Sequence, residues 1–186
     1  MDCEPRVAGA RLLCRGRRFA LASIVVEACG DRVERDLLLH PGAAVVLPVT
    51  RSGEVVFVEQ WRVGCTCKLL ELPAGTLEPG EDPLACARRE LLEETGYGGG
   101  EWSLLLQVYP SPGVSTEKMY IYLAEGVEKI QEPSPERGEH LTTRTIPKEQ
   151  ALQMALRGEI LDAKTLLALL AYMARMEEDE ASGEEE

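Results

Sequence analysis

Positive charge and histidine are both scarce in this sequence, and each shortage narrows what the protein does. Its 186 residues carry 20 Lys and Arg against 32 Asp and Glu, a net charge of −12 at pH 7. A nucleic-acid-binding surface needs a concentrated basic patch; the sequence has none, so nucleic acid is not an expected partner. Only His40 and His140 exist as imidazole ligands, and neither sits at a metal-binding spacing. No apolar run approaches the roughly 20 residues that cross a bilayer, so no membrane partner is expected. The opening residues, Met1-Asp2-Cys3-Glu4-Pro5-Arg6, lack the basic-then-apolar order of a secretory signal, which gives cytoplasm as the expected location.

Six cysteines are present (Cys3, Cys14, Cys29, Cys65, Cys67 and Cys86), but in a chain of this length without a signal they do not read as a disulfide framework. Cys65-Thr66-Cys67 lacks the second Cys or His pair that structural zinc requires. Cys86 reads as a small core residue. Hydrophobic content of 45% with 28% charged residues suits one compact domain with a sizeable core. Seven acidic residues and no basic ones lie between Glu177 and Glu186, accounting for −7 of the net charge. That stretch reads as a disordered solubilising tail, or alternatively as a partner-binding one.

The most informative segment runs from Gly75 to Tyr97, GTLEPGEDPLACARRELLEETGY. Pro79-Gly80 marks a turn, Asp82-Pro83 supplies an N-cap and a first-turn proline, and Gly96 is placed to end the helix. Leu84, Ala87, Leu91 and Leu92 form the apolar stripe. Glu90, Glu93 and Glu94 stand at i, i+3 and i+4, and so share a face. Carboxylates crowded on one stripe repel by a few tenths of a kcal/mol per pair unless something neutralises them. A hard divalent cation would do so, and carboxylate oxygens are the ligands that Mg²⁺ and Mn²⁺ accept.

Gly75, Glu81, Arg89, Glu90, Leu91, Glu93, Glu94 and Gly96 match every fixed position of the Nudix box, with Tyr97 at its last apolar position. The segment therefore resembles the signature of the Nudix hydrolase family. The resemblance implies an α/β fold: an α/β/α sandwich with a mixed β-sheet, plus an N-terminal β-hairpin. It implies Mg²⁺, or Mn²⁺, held by Glu90, Glu93, Glu94 and the Ala74 carbonyl, with Gly75 letting the backbone approach the ion. Arg89 and Glu81 would then orient the metal-binding glutamates.

Three further features resemble the ADP-ribose pyrophosphatase branch. Ser111-Pro112-Gly113 lies about fifteen residues past the box, with Glu117 close behind. Val58-Glu59-Gln60-Trp61-Arg62 is similar to a strand whose arginine contacts substrate phosphate. The N-terminal hairpin corresponds to one exchanged between subunits of a homodimer, with Phe19 placed to stack on adenine and Arg35 to reach across the interface. The implied reaction is hydrolysis of ADP-ribose to AMP and ribose 5-phosphate, with Glu93 and Glu94 in the catalytic centre. Glu139 best matches the branch's loop carboxylate, as base or additional metal ligand, with Glu136 the alternative. Another nucleoside-diphosphate sugar is the rival substrate, and a nucleotide-sensing domain without turnover is the rival of another class.

The rest of the chain reads as strands over Arg18–Glu27, Val33–Leu39, Ala43–Val49, Val55–Trp61, Trp102–Tyr109, Met119–Ala124 and Leu141–Ile146. Helices are expected over Lys148–Arg157 and from an Asp162 cap to about Met176. The expected organisation is N-terminal strands over 1–40, the catalytic domain over 41–176, and the acidic tail over 177–186.

Overall fold

A computed structural model describes residues 3–135 and 140–183. The chain divides into two units, one of Met1–Gly42 with Tyr109–Lys118, the other of Ala43–Val108 with Met119–Glu186. The segment 109–118 therefore groups with the N-terminal strands, which the 1–40 boundary did not anticipate.

The first unit is an antiparallel sheet of β1 (Arg6–Arg15), β2 (Ala20–Ala28) and β3 (Asp31–Leu39), in that order. The expected hairpin is β2–β3. Its two-residue turn, Cys29-Gly30, has φ of 53° and 89°, the positive pair that matches the twist of the flanking strands. Strand β1 was not expected: Arg6, Arg11, Arg15 and Gly9 interrupt its apolar residues, and nearly all of it is exposed, so burial imposes no alternation on it. Segment 109–118 lies along β3, where Leu38 N–H donates to the Val114 carbonyl (2.8 Å) and Thr116 N–H to the Leu38 carbonyl (3.0 Å).

The second unit is built on β4 (Ala43–Thr50), β5 (Glu54–Arg62), β6 (Cys67–Glu71), β7 (Ala74–Thr76), β8 (Tyr97–Gly98), β9 (Glu101–Val108), β10 (Met119–Lys129) and β11 (Leu141–Pro147). The sheet runs β11-β5-β4-β10-β8, with β6 on β5, β7 on β4 and β9 on β10. Strands β4 and β10 are parallel and the other pairings antiparallel, so the sheet is mixed as expected. Among the described residues, three helices complete the unit: α1 (Pro83–Thr95), α2 (Lys148–Leu156) and α3 (Ala163–Gly183).

Alternation along β4 explains the layering. Val45, Leu47 and Val49 join Phe57, Ile121 and Leu123 in a core closed by Ala151 and Ala155 of α2 and Ala168 and Leu169 of α3. Ala44 and Val46 face the other way, with Val56 and Ala124, onto Cys86, Ala87 and Leu91 of α1. A strand buried on both faces is apolar throughout instead of alternating with polar residues. Cys86 is fully buried, and burial pushes its thiol up to about 12, in keeping with a core residue.

Helix α3 continues past the expected Met176 to Gly183, so residues 177–183 are helical and not a disordered tail. Glutamate is a good helix former, and once the apolar face of α3 is docked its acidic end continues the same helix. Residues 184–186 of the expected tail lie outside the described residues.

Gly96 ends α1 at φ 73°, its N–H donating to the Leu92 carbonyl at 2.8 Å. A Cβ there would stand 2.0 Å from the Gln131 carbonyl oxygen, which is backbone and cannot swing aside. Gly96→Ala should therefore cost about 1–3 kcal/mol or more of stability, measured by urea denaturation. An unchanged denaturation midpoint would contradict this placement.

Candidate active site

The candidate site grows from the start and the inner face of α1. Asp82 caps the helix by accepting the Ala85 N–H at 3.0 Å, and Pro83 follows at its first position, as the sequence predicted. This fixes the helix register and brings Glu90 and Glu94 to the backbone of β7. The Glu94 carboxylate, only 5% exposed as a residue, accepts the Ala74 N–H through Oε2 at 3.1 Å. Glu90 lies against Gly75 so closely that a Cβ at position 75 would be 1.9 Å from its carboxylate carbon. The glycine is required by the glutamate that packs on it.

Arg89 organises the remaining acids. Its Nε and Nη2 grip both oxygens of Glu81 at 3.0 and 3.1 Å, while Nη1 reaches Glu90 at 2.7 Å and Glu93 at 3.3 Å. The hydrogen bond to Glu81 holds the guanidinium well above its ordinary pKa, and the same bond pulls Glu81 below the usual carboxylate range. Glu81 also accepts the Glu78 N–H at 2.9 Å, tying the turn before the helix to the arginine. One guanidinium faces three carboxylates, leaving an excess of two negative charges before Glu94 is counted.

Among the described residues, no three His, Cys, Asp or Glu side chains converge on a single point where one metal ion would sit. The carboxylates of Glu90 and Glu93 turn to Arg89, and that of Glu94 to the Ala74 N–H, since crowded acids take the nearest donors. The donor set nevertheless suits a hard divalent cation: oxygen ligands only, surplus negative charge, and a glycine backbone with nothing between it and Glu90.

Arg62, expected to grip phosphate, makes a two-point ion pair with Glu71: Nε to Oε1 at 2.7 Å and Nη2 to Oε2 at 2.8 Å. Glu71 is 1% exposed and also accepts from Lys164, which bonds Asp162 at 2.9 Å as well. Burial opposes the charge on Glu71, but the bonds from Arg62 and Lys164 outweigh it and hold its pKa below the usual range. Asp162 caps α3, as expected, by accepting the Thr165 N–H at 3.0 Å and its hydroxyl at 2.6 Å. Sequence reasoning missed Glu71, Lys164 and Thr165. The one available signal was a glutamate standing among Leu69, Leu70 and Leu72.

The other expected substrate residues lie in the first unit. Phe19 stacks on His40 with ring centres 4.7 Å apart and planes 20° from parallel. His40 Nδ1 accepts the Gly42 N–H at 2.9 Å, and Nε2 stands 3.7 Å from Glu117. Burial pushes the His40 pKa down, against the pull of Glu117. Ser111, Pro112 and Gly113 form a turn closed by bonds from Val114 and Ser115 N–H to the Ser111 carbonyl, at 3.1 and 3.0 Å. Arg35 is exposed and donates to the Glu34 carbonyl. Glu136 and Glu139 lie outside the described residues.

The NUDIX domain family model matches residues 38–169. An ADP-ribose pyrophosphatase of Bacillus subtilis (strain 168) is 36% identical over 141 residues, 75% of this chain and 76% of that protein. A methanol dehydrogenase activator of Bacillus methanolicus matches with the same identity and coverage. A GDP-mannose pyrophosphatase of Enterobacter sp. (strain 638) is 36% identical over 140 residues, 71% of this chain and 72% of that protein. Among solved structures, the crystal structure of an ADP compounds hydrolase superposes with a TM-score of 0.83, covering 96% of this chain and 97% of the other at 21% identity, a likeness of fold.

Gly75→Ala separates fold from site. The backbone at position 75 lies outside the left-handed region, and the clash would be with a movable side chain. The melting temperature should stay close to wild type, while displacement of Glu90 lowers kcat by roughly a hundredfold, the scale of a misplaced catalytic group. Parallel melting and turnover measurements check this; full turnover in the variant would contradict it.

Proposed function

The chain belongs to the Nudix family, and from that premise we propose that it hydrolyses the diphosphate of ADP-ribose, releasing AMP and ribose 5-phosphate. The observation that carries this reading is the glutamate face of α1 set against the Ala74-Gly75 backbone. Glu90, Glu93, Glu94 and the Ala74 carbonyl would hold Mg²⁺, or Mn²⁺ in its place. Bound there, the cation would supply charge neutralisation for the diphosphate and would lower the pKa of a water near neutral pH. Arg89 keeps Glu90 and Glu93 on their face of the helix, and Glu81 keeps Arg89 in place. Arg62, its plane set by the fork on Glu71, would meet a substrate phosphate with the guanidinium edge that carries Nη1.

Glu93 is the more exposed of Arg89's two helix partners, its side chain 37% exposed against 13% for Glu90. In this reading it is the box carboxylate that would take a proton from attacking water. Glu139 and Glu136 compete with it for that role as loop carboxylates. Phe19, Arg35, Ser111, Pro112, Gly113 and Glu117 would recognise the nucleotide. A homodimer belongs to the same reading, supported by the apolar side chains that the N-terminal sheet exposes, among them Val7 at 69% and Leu12 at 52%. A GDP-sugar is the second reading, favoured by the GDP-mannose pyrophosphatase likeness.

Three outcomes follow. With Mg²⁺, AMP release from ADP-ribose should exceed GMP release from GDP-mannose; the reverse order would select the second reading. Glu94→Gln should reduce kcat at least about a hundredfold with the fold intact, as for other losses of preorganised electrostatic stabilisation. Light scattering of the intact protein should give twice the chain mass; a monomer that hydrolyses ADP-ribose at full rate would remove the dimer from the account.

A further inference from the structure

We propose that Glu71 and Lys164 are positioning residues that hold Arg62 at the angle from which it meets a substrate phosphate. The inference rests on the reading of Arg62 as a phosphate clamp. A buried carboxylate is costly unless its charge is met, and Glu71, 1% exposed, is met from two sides. Arg62 comes from the end of β5 and Lys164 from the first turn of α3, positions far apart in sequence that only the fold joins.

The geometry is that of a holder. Glu71 takes Nε and Nη2 of Arg62 in a parallel fork, which fixes the plane of the guanidinium as well as its position. Nη1 is the nitrogen that Glu71 does not take, and the Arg62 side chain remains 42% exposed. The charges of Glu94 and Asp162 add to that of Glu71 in keeping Arg62 protonated. Lys164, with its side chain 10% exposed, bridges Glu71 and Asp162, so the holder is itself held.

The same turn of α3 grips the neighbouring backbone. Thr165 is fully buried; its hydroxyl donates to Asp162 and accepts the Leu72 N–H at 2.8 Å. Residues 71 and 72 are thus fastened, side chain and backbone, two residues before Ala74. Arg62 and the Ala74-Gly75 backbone are indexed to one rigid point.

A double-mutant cycle on ADP-ribose hydrolysis tests this, with melting temperatures recorded for every protein. Glu71→Gln keeps the shape and one acceptor; it should raise KM about tenfold while kcat changes less than about threefold, the scale of one weakened charged hydrogen bond. Arg62→Ala should raise KM at least as much. The double variant should be no worse than Arg62→Ala alone, because Glu71 acts through that arginine. Lys164→Met supplies an independent arm if Glu71→Gln does not fold: it should raise KM in the wild type and leave KM unchanged in Arg62→Ala. Additive losses, or a lowered melting temperature with unchanged KM, would overturn the positioning role and leave the clamp standing. If Arg62→Ala leaves KM unchanged while Glu94→Gln still abolishes turnover, the clamp fails and the positioning role falls with it, but hydrolysis stands. A wild-type protein that releases no AMP would remove the functional reading and both roles.

Discussion

One arginine set among three glutamates is the constraint on which the site depends. Glu81, Glu90 and Glu93 share Arg89, and each bond has a separate structural consequence. The pair with Glu81 ties the turn before α1 to the helix body. The bonds to Glu90 and Glu93 keep two like charges side by side on one helical stripe. A single guanidinium does not cancel them, so the face carries surplus negative charge against the Ala74-Gly75 backbone. In the proposed reading a divalent cation is set against that imbalance.

The sheet makes the arrangement rigid. Because β4 is buried on both faces, α1 is pressed on one side while α2 and α3 close the other. Strand β7 pairs with β4 at Val45↔Ala74 and Ala44↔Gly75, so the residues beside Glu94 and Glu90 are registered against the centre of the core. A shift of α1 along the sheet would move both glutamates together. On the far side, the first turn of α3 reaches Glu71 and Leu72, just upstream of the same backbone.

Much of this was legible in the chain, for physical reasons that can be named. The caps of α1, Asp82 and Gly96, are local signals, and the glutamate stripe follows from helical spacing alone. The runs at Ala43–Val49 and Val55–Trp61 are long enough to read as strands without any partner, and they lie within β4 and β5. Strand β1 was not legible because its exposed residues obey no alternation. The end of α3 was missed because exposed glutamates read equally well as coil. Glu71 was beyond reach for another reason: Lys164, one of its partners, is 93 residues away, and a lone acid in a leucine-rich strand does not announce which cation meets it. The direction of the box carboxylates, toward Arg89 and the Ala74 N–H, is likewise a property of packing and not of spacing.

The account's central claim is that the charge surplus on α1 binds a divalent cation. Titration of the protein with Mn²⁺, read by the relaxation of water protons, measures this without reference to any substrate. The account predicts saturable binding in the wild type and its loss in the Glu90→Gln, Glu94→Gln double variant at unchanged fold. Equal Mn²⁺ binding by the two proteins would contradict it.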